Sequence, residues 1–250
     1  MVERADRAPV GTFHAPGAWT APAGAPVELD EAAAHHAGVK RLAVGDAVRL
    51  TSGDGRRAMG TIAALAKRRL SVAVDDASLE LVPAPPHVEL WAPVGDRERM
   101  LMLAEKAVEL GASAWRPVVY RRSRSVTPRG EGDAFREKVR LRMIAALEQS
   151  GGAWLPERYA EVTLEAALRA SNGVAGVLLD AAGPPFSTLR DAVHPPLAVA
   201  LGPEGGLEPD ERASFLAAGW RPASLGANVL RFETAGIAAL ALIRSLTPDP

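Results

Sequence analysis

The sequence predicts an α/β protein: a mostly parallel sheet covered by helices, preceded by a smaller β-rich unit. Three observations carry this. Between Asp46 and Val74 short alternating runs follow one another too closely for crossovers between parallel strands, which need a dozen or more connecting residues. Pro83-Ala-Pro-Pro86 then interrupts the chain stiffly. Beyond it apolar strand runs alternate with helical patterns, the order of a parallel sheet with helices on its faces. The boundary falls there, giving domains 1–82 and 83–250.

Residues 1–30 are rich in Pro, Ala and Gly and carry little periodicity, so much of this stretch reads as irregular. Leu29 to His36 reads as a short helix with Asp30 and Glu31 near its start. Asp46 to Ser52 alternates as a strand, Gly53-Asp54-Gly55 turns, and Ala58 to Leu65 and Leu70 to Val74 supply further strands. After the break, His87 to Trp91 reads as a strand. Arg97 to Leu110 reads as a helix capped by Asp96, with Met100, Leu103, Ala104 and Ala107 on one face and Gly111 stopping it. Ala114 to Tyr120 is a strand, and Asp133 to Gln149 and Leu164 to Ala170 are helices. Gly176 to Asp180 and Leu197 to Leu201 are short apolar runs, as in strands buried on both faces. Pro209 to Ala218 is a helix with Pro in its first turn and Gly219 beyond its end. Ala223 to Leu225 is a last short strand. Thr234 to Leu246 is a closing helix, apolar nearly all round and so suited to burial on more than one side.

Composition removes several functions. Of the 250 residues 48% are hydrophobic and none is cysteine, so disulfides, thiolate metal sites and thiol nucleophiles are excluded. Only His35 and His36 of the five histidines are close together, which disfavours a metal site. No run approaches the about 18 apolar residues of a membrane span, and Glu3, Arg4, Asp6 and Arg7 leave no apolar signal core. The expectation is a cytoplasmic protein with no membrane and no metal. Net charge is −1, yet residues 115–142 hold nine basic residues against Glu131, Asp133 and Glu137. That local excess reads either as a phosphate-binding surface or as a solvated helix face with a charged loop.

Three loops follow predicted strands at their carboxyl ends, where open α/β sheets place ligands. They are Asp180-Ala-Ala-Gly183, Gly202-Pro-Glu-Gly-Gly206 and the stretch from Leu225 to Ala235. The second fits no general nucleotide-binding pattern. The combination is more specific. GPEGGLEPDE, followed some twenty residues later by LGANVLRFETA, closely resembles the carboxyl-terminal signature of the small-subunit (16S) ribosomal RNA uridine N3-methyltransferases, members of the SPOUT class of trefoil-knotted enzymes. Glu105 to Gly111 (EKAVELG), Arg124-Ser125-Val126, and Glu148-Gln149-Ser150 followed by Leu155-Pro156 resemble further segments of the family. His36 to Asp46 resembles, more loosely, the opening of its PUA-like β-barrel.

The resemblance implies a fold of two parts, a PUA-like RNA-binding β-barrel over residues 1–82 and a SPOUT α/β domain over 83–250 with a parallel sheet. It implies S-adenosyl-L-methionine as cofactor, held in a knot spanning about residues 176–246, and a homodimer acting on 16S rRNA or the small ribosomal subunit. Leu179, Leu201, Gly202, Pro203, Gly205 and Gly206 would wrap the cofactor, together with Leu225, Gly226, Val229, Leu230 and Thr234. Glu204 would either hydrogen-bond the ribose or amino-acid part of the cofactor or cap the following helix. Methylating N3 of a uridine requires loss of a weakly acidic N–H and alignment of the nitrogen with a sulfonium methyl. Arg231 would stabilise the charge that develops on the base. Glu233 is the candidate base, with a salt bridge to Arg231 or a helix cap as its other reading. Lys40, Arg41, Lys106, Arg122 and Arg124 would meet RNA phosphates. Two departures stand out: Gly152 and Asn228 occupy positions where the family usually carries Arg, and Phe232 stands where Thr is frequent. Other knotted RNA methyltransferases, and a non-catalytic RNA-binding or ribosome-assembly factor of this fold, are the alternatives.

Overall fold

A computed structural model describes residues 8–20, 25–123, 132–171 and 174–247. Its contacts divide into two compact units: residues up to Pro83 together with Ile144–Leu155, and Ala84–Met143 together with the residues from Pro156 onward.

The first unit is a curled sheet. Its strands are β1 (Thr12–His14), β2 (Val27–Leu29), β3 (Ala47–Thr51), β4 (Arg56–Ala66), β5 (Arg69–Val74) and β6 (Glu80–Leu81), with α1 (Glu31–Val39) after β2. The order is β1-β3-β4-β5-β2, with β6 on β4, antiparallel except for β1 beside β3. The expected barrel is therefore a half-barrel, since no pairing joins β1 to β2 among the described residues. A register shift between Ile62 and Ala64 bends the long strand β4. Ala33, Ala34 and Ala37 of α1 pack into the concave side against Phe13, Leu50 and Val72. Asp30 caps α1, accepting a 3.0 Å bond from the Ala33 N–H. The two three-residue strands fall inside the stretch read as irregular, because segments so short show no periodicity.

The last turn of α3 (Gly132–Ser150) and the residues after it give the Glu148-Gln149-Ser150 segment a structural role. Glu148 accepts the His14 N–H at 2.9 Å and lies 3.1 Å from His36 Nδ1. Thr51 Oγ1 donates to the Gly152 carbonyl and Arg57 Nη1 to that of Gly151, each at 3.0 Å. The position where the resemblance gives Arg is thus used here through its backbone.

The second unit holds a wholly parallel sheet. Its strands are β7 (Val88–Pro93), β8 (Ala114–Val119), β9 (Glu157–Arg158), β10 (Val162–Thr163), β11 (Ala175–Leu179), β12 (Leu197–Leu201) and β13 (Arg221–Ala223). The order is β10-β8-β7-β12-β11-β13, with β9 also on β8. The helices are α2 (Arg97–Glu109), α4 (Leu164–Ala170), α5 (Pro209–Ala217) and α6 (Phe232–Leu246), besides the start of α3. β12 is buried throughout, which accounts for its continuous apolar run, while the nearly buried β7 and β8 carry Glu89 and Arg116 as a buried ion pair. The buried Trp91, Phe215 and Trp220 pack together on the sheet, with ring centroids 4.5 to 6.1 Å apart. Gly176 admits Trp220: a Cβ there would lie 2.1 Å from the indole. The last strand ends at Ala223, so Leu225 belongs to the following loop. α6 buries Phe232, Gly236, Ala239, Leu240 and Ile243 on one side and leaves Leu242 exposed. Among the described residues no helix is long and apolar enough to cross a membrane, and no cluster of His, Asp and Glu could hold a metal.

Candidate functional site

The carboxyl ends of β11, β12 and β13 lie side by side, and the loops that follow them enclose a cavity of about 460 Å³. That volume suits a small-molecule ligand. Leu179, Leu201, Gly202, Pro203, Glu204 and Gly206 line it, as do Leu225, Gly226, Val229, Leu230 and Arg231. Three expected residues do not: Gly205, Glu233 and Thr234 are absent from the wall.

The Gly202–Gly206 loop turns tightly, with the Gly206 N–H donating to the Pro203 carbonyl at 2.8 Å. Gly206 has φ +74°, which favours glycine. The helix beyond it is capped by Glu208, whose N–H donates to Glu211 at 2.9 Å. Glu204 is not that cap. It turns to α2, 3.5 Å from Arg99 Nη1 and from the Asp96 N–H. Asp96 caps α2 by accepting the Arg99 N–H at 3.0 Å, so it fixes the turn that presents Arg99.

Glu233 is 5% exposed, with Oε1 3.9 Å from Arg99 Nε and no partner for Oε2 among the described residues. Its counter-ion is Arg99 rather than Arg231. The first turn of α6 suits the carboxylate, because the helix N-terminus carries positive potential. Arg231, the N-cap of α6, is exposed on the cavity wall and has no ion-pair partner among the described residues.

The cavity also exposes residues that the sequence did not assign as cofactor or base contacts. Arg99 and Arg212 line it, as do Asp180, Ser224, Asn228 and Phe232. The cap at Asp96 was the available signal for Arg99; nothing in the local pattern marked Arg212. Asn228, one of the departures, lies in the wall itself.

The expected RNA contacts are scattered. Lys40 and Arg41 are exposed after α1, without ion-pair partners among the described residues. Lys106 lies 2.8 Å from both Glu105 and Glu109, and those bonds raise its pKa. Arg122 donates to Glu208 at 2.7 and 2.9 Å and to the Gly205 carbonyl at 3.0 Å, bracing the Gly-rich loop. Glu208 holds its pKa above the ordinary arginine value. Arg124 lies outside the described residues. Beyond Arg122, five more arginines of the basic stretch are paired: Arg116 with Glu89, Arg121 with Asp210, Arg136 with Asp133, Arg140 with Glu137 and Arg142 with Glu105. Partners on β7, α2 and α5 are invisible to a local charge count, so much of the apparent excess is neutralised.

A family model of the RNA methyltransferase domain matches residues 83–244, and a model of the RNA methyltransferase PUA domain matches residues 29–75. The chain belongs to the RNA methyltransferase family. Ribosomal RNA small subunit methyltransferase E of Rickettsia conorii is 27% identical to it over 215 residues, 83% of this chain and 84% of that protein. The crystal structure of Ribosomal RNA small subunit methyltransferase E from Neisseria gonorrhoeae, bound to S-adenosyl methionine, matches with a TM-score of 0.84. Identity is 25%, over 94% of this chain and 97% of that one. A Legionella pneumophila structure with the bound cofactor SAM matches at 0.80 and 28% identity, over 96% and 98% of the two chains. This RNA methyltransferase therefore shares its fold across both units with structures that hold the cofactor.

Proposed function

We propose that the chain transfers a methyl group from S-adenosyl-L-methionine to N3 of a uridine in the 16S rRNA of the small ribosomal subunit. The observation that carries this reading is the cavity at the ends of β11, β12 and β13, which gathers both signature segments into one wall. Leu179, Leu201, Leu225 and Val229 supply apolar surface for a purine ring, while the glycine backbone brings N–H and C=O groups close to polar edges. When bound, the cofactor supplies an electrophilic methyl group on a sulfonium. The threading of residues 176–246 as a trefoil knot belongs to the same reading.

Arg231 is the group placed to act on the base. Its guanidinium is not committed to a carboxylate among the described residues, so it is available to stabilise negative charge on the uracil carbonyls as N3 loses its proton. Glu233 fits a positioning role: with Arg99 it anchors the first turn of α6, from which Arg231 projects. The N3 proton passes to solvent at the exposed Arg231 end of the cavity. Lys40, Arg41, Lys106, Arg122 and Arg124 remain the proposed phosphate contacts; Lys40 and Arg41 are exposed without ion-pair partners among the described residues, whereas Lys106 and Arg122 are paired.

A homodimer fits the exposed apolar residues on packed helices, Met102 of α2 and Leu242 of α6. A cytoplasmic location fits an rRNA target. Incubating the protein with undermethylated small subunits and S-adenosylmethionine, then mapping methylated bases by mass spectrometry, tests the assignment. Methylation at another RNA position would select the alternative target that Asn228 leaves open.

A further inference from the structure

Arg212 lines the cavity but has no part in the chemistry above. It lies in the first turn of α5, where the helix N-terminus favours carboxylates such as Asp210 and Glu211 and disfavours a cation. Helix stability therefore does not explain it. Its Nε donates to Asp180 Oδ2 at 2.6 Å, and Asp180 Oδ1 accepts the Ala182 N–H at 2.9 Å. The aspartate is thereby used on both oxygens and held by its own turn at the end of β11. Nη1 and Nη2 of Arg212 have no partner among the described residues. A guanidinium tethered through Nε keeps its outer edge, two parallel N–H donors, for a planar anion.

Asp180 thus holds a rigid two-donor edge at the wall of a cavity otherwise lined largely by apolar side chains and glycine backbone. Arg99, by contrast, is shared between Glu204 and Glu233. We infer that Arg212, oriented by Asp180, binds the α-carboxylate of the cofactor's amino-acid tail. This rests on the reading that the cavity takes S-adenosylmethionine. It assigns Arg212 as a cofactor-binding residue and Asp180 as its positioning residue.

Calorimetry on the full chain tests it with three ligands: S-adenosylmethionine, S-adenosylhomocysteine and 5′-methylthioadenosine, which lacks the amino-acid tail. Arg212→Met keeps the aliphatic stem and removes the donors. Its Kd for the two tailed ligands should rise by about 10- to 100-fold, as for loss of a charged hydrogen bond, with that for methylthioadenosine unchanged. Asp180→Asn should weaken the same two ligands by a smaller factor, and Arg212→Lys should recover part of the loss. An equal loss for all three ligands would mean a structural role and overturn the inference. So would unchanged affinities, including the case in which only RNA binding weakens and the guanidinium meets a phosphate. If the unmutated chain binds none of the three, the cofactor reading itself fails and the inference falls with it.

Discussion

Arg231 carries the proposed chemistry because, among the described residues, it is the cavity arginine left without a carboxylate, whereas Arg99 and Arg212 are both tethered. Removing a preorganised donor aimed at developing charge typically costs about 10²- to 10³-fold in turnover. Arg231→Ala should lose turnover in that range with little change in cofactor affinity, measured by single-turnover methylation beside calorimetry. Loss of cofactor binding without loss of the chemical step would remove Arg231 from the mechanism. At this scale the sequence was informative where a motif existed. The wall residues between Gly202 and Leu207 and between Leu225 and Ala235 lie in the two signature segments. Arg99 and Arg212 were not legible, because each reaches the cavity from a helix whose placement depends on tertiary packing. Of the readings open for Glu233, the salt bridge to Arg231 fails for the same reason: Arg231 is close in sequence, but Arg99 is close in space.

At the scale of elements, caps and apolar runs were the readable part. The cap at Asp96 marks the start of α2, and the runs at Leu197–Leu201 and Leu164–Ala170 coincide with β12 and α4. The strands β1, β2, β6, β9 and β10, two or three residues each, were not readable, since segments so short carry no periodicity of their own and rest on hydrogen bonds from a neighbouring strand. Close packing also gives a test. Gly176→Ala would press a methyl group into the Trp220 indole and should cost about 1–3 kcal/mol in urea unfolding. An unchanged midpoint would mean that the indole has another resting place.

The ion pairs give a pH dependence. Glu105 is held below its ordinary 4.5 by Lys106 and then Arg142, and Asp210 below 3.8 by Arg121. Their folded pKa values lie below the unfolded ones, so the stabilisation is present above about pH 4.5 and fades as pH falls toward the folded values. These pairs are largely solvent-facing, so each contributes little. Arg121→Gln and Arg142→Gln should slightly lower the urea midpoint at pH 7 and flatten its fall between pH 5 and 3. An equally steep fall in the variants would assign the acid sensitivity to other groups.

For the whole molecule, net charge was the least informative quantity. The value of −1 averages a basic stretch with acidic surroundings, and folding then pairs every described arginine of that stretch. Division of the chain was legible only in part: the Pro-rich break marks one limit, but Ile144–Leu155 returns to the first unit through backbone contacts that no local pattern announces. The exposed Leu242 and Met102 predict a dimer, so light scattering at micromolar concentration should give twice the 26.3 kDa chain mass; a monomer mass would contradict the association. The decisive measurement is methyl transfer itself. Small ribosomal subunits lacking the modification, incubated with the protein and S-adenosylmethionine, should gain one methyl group at N3 of a single uridine in 16S rRNA. A methyl group on any other base, or none at all from a chain that binds the cofactor, would contradict that function.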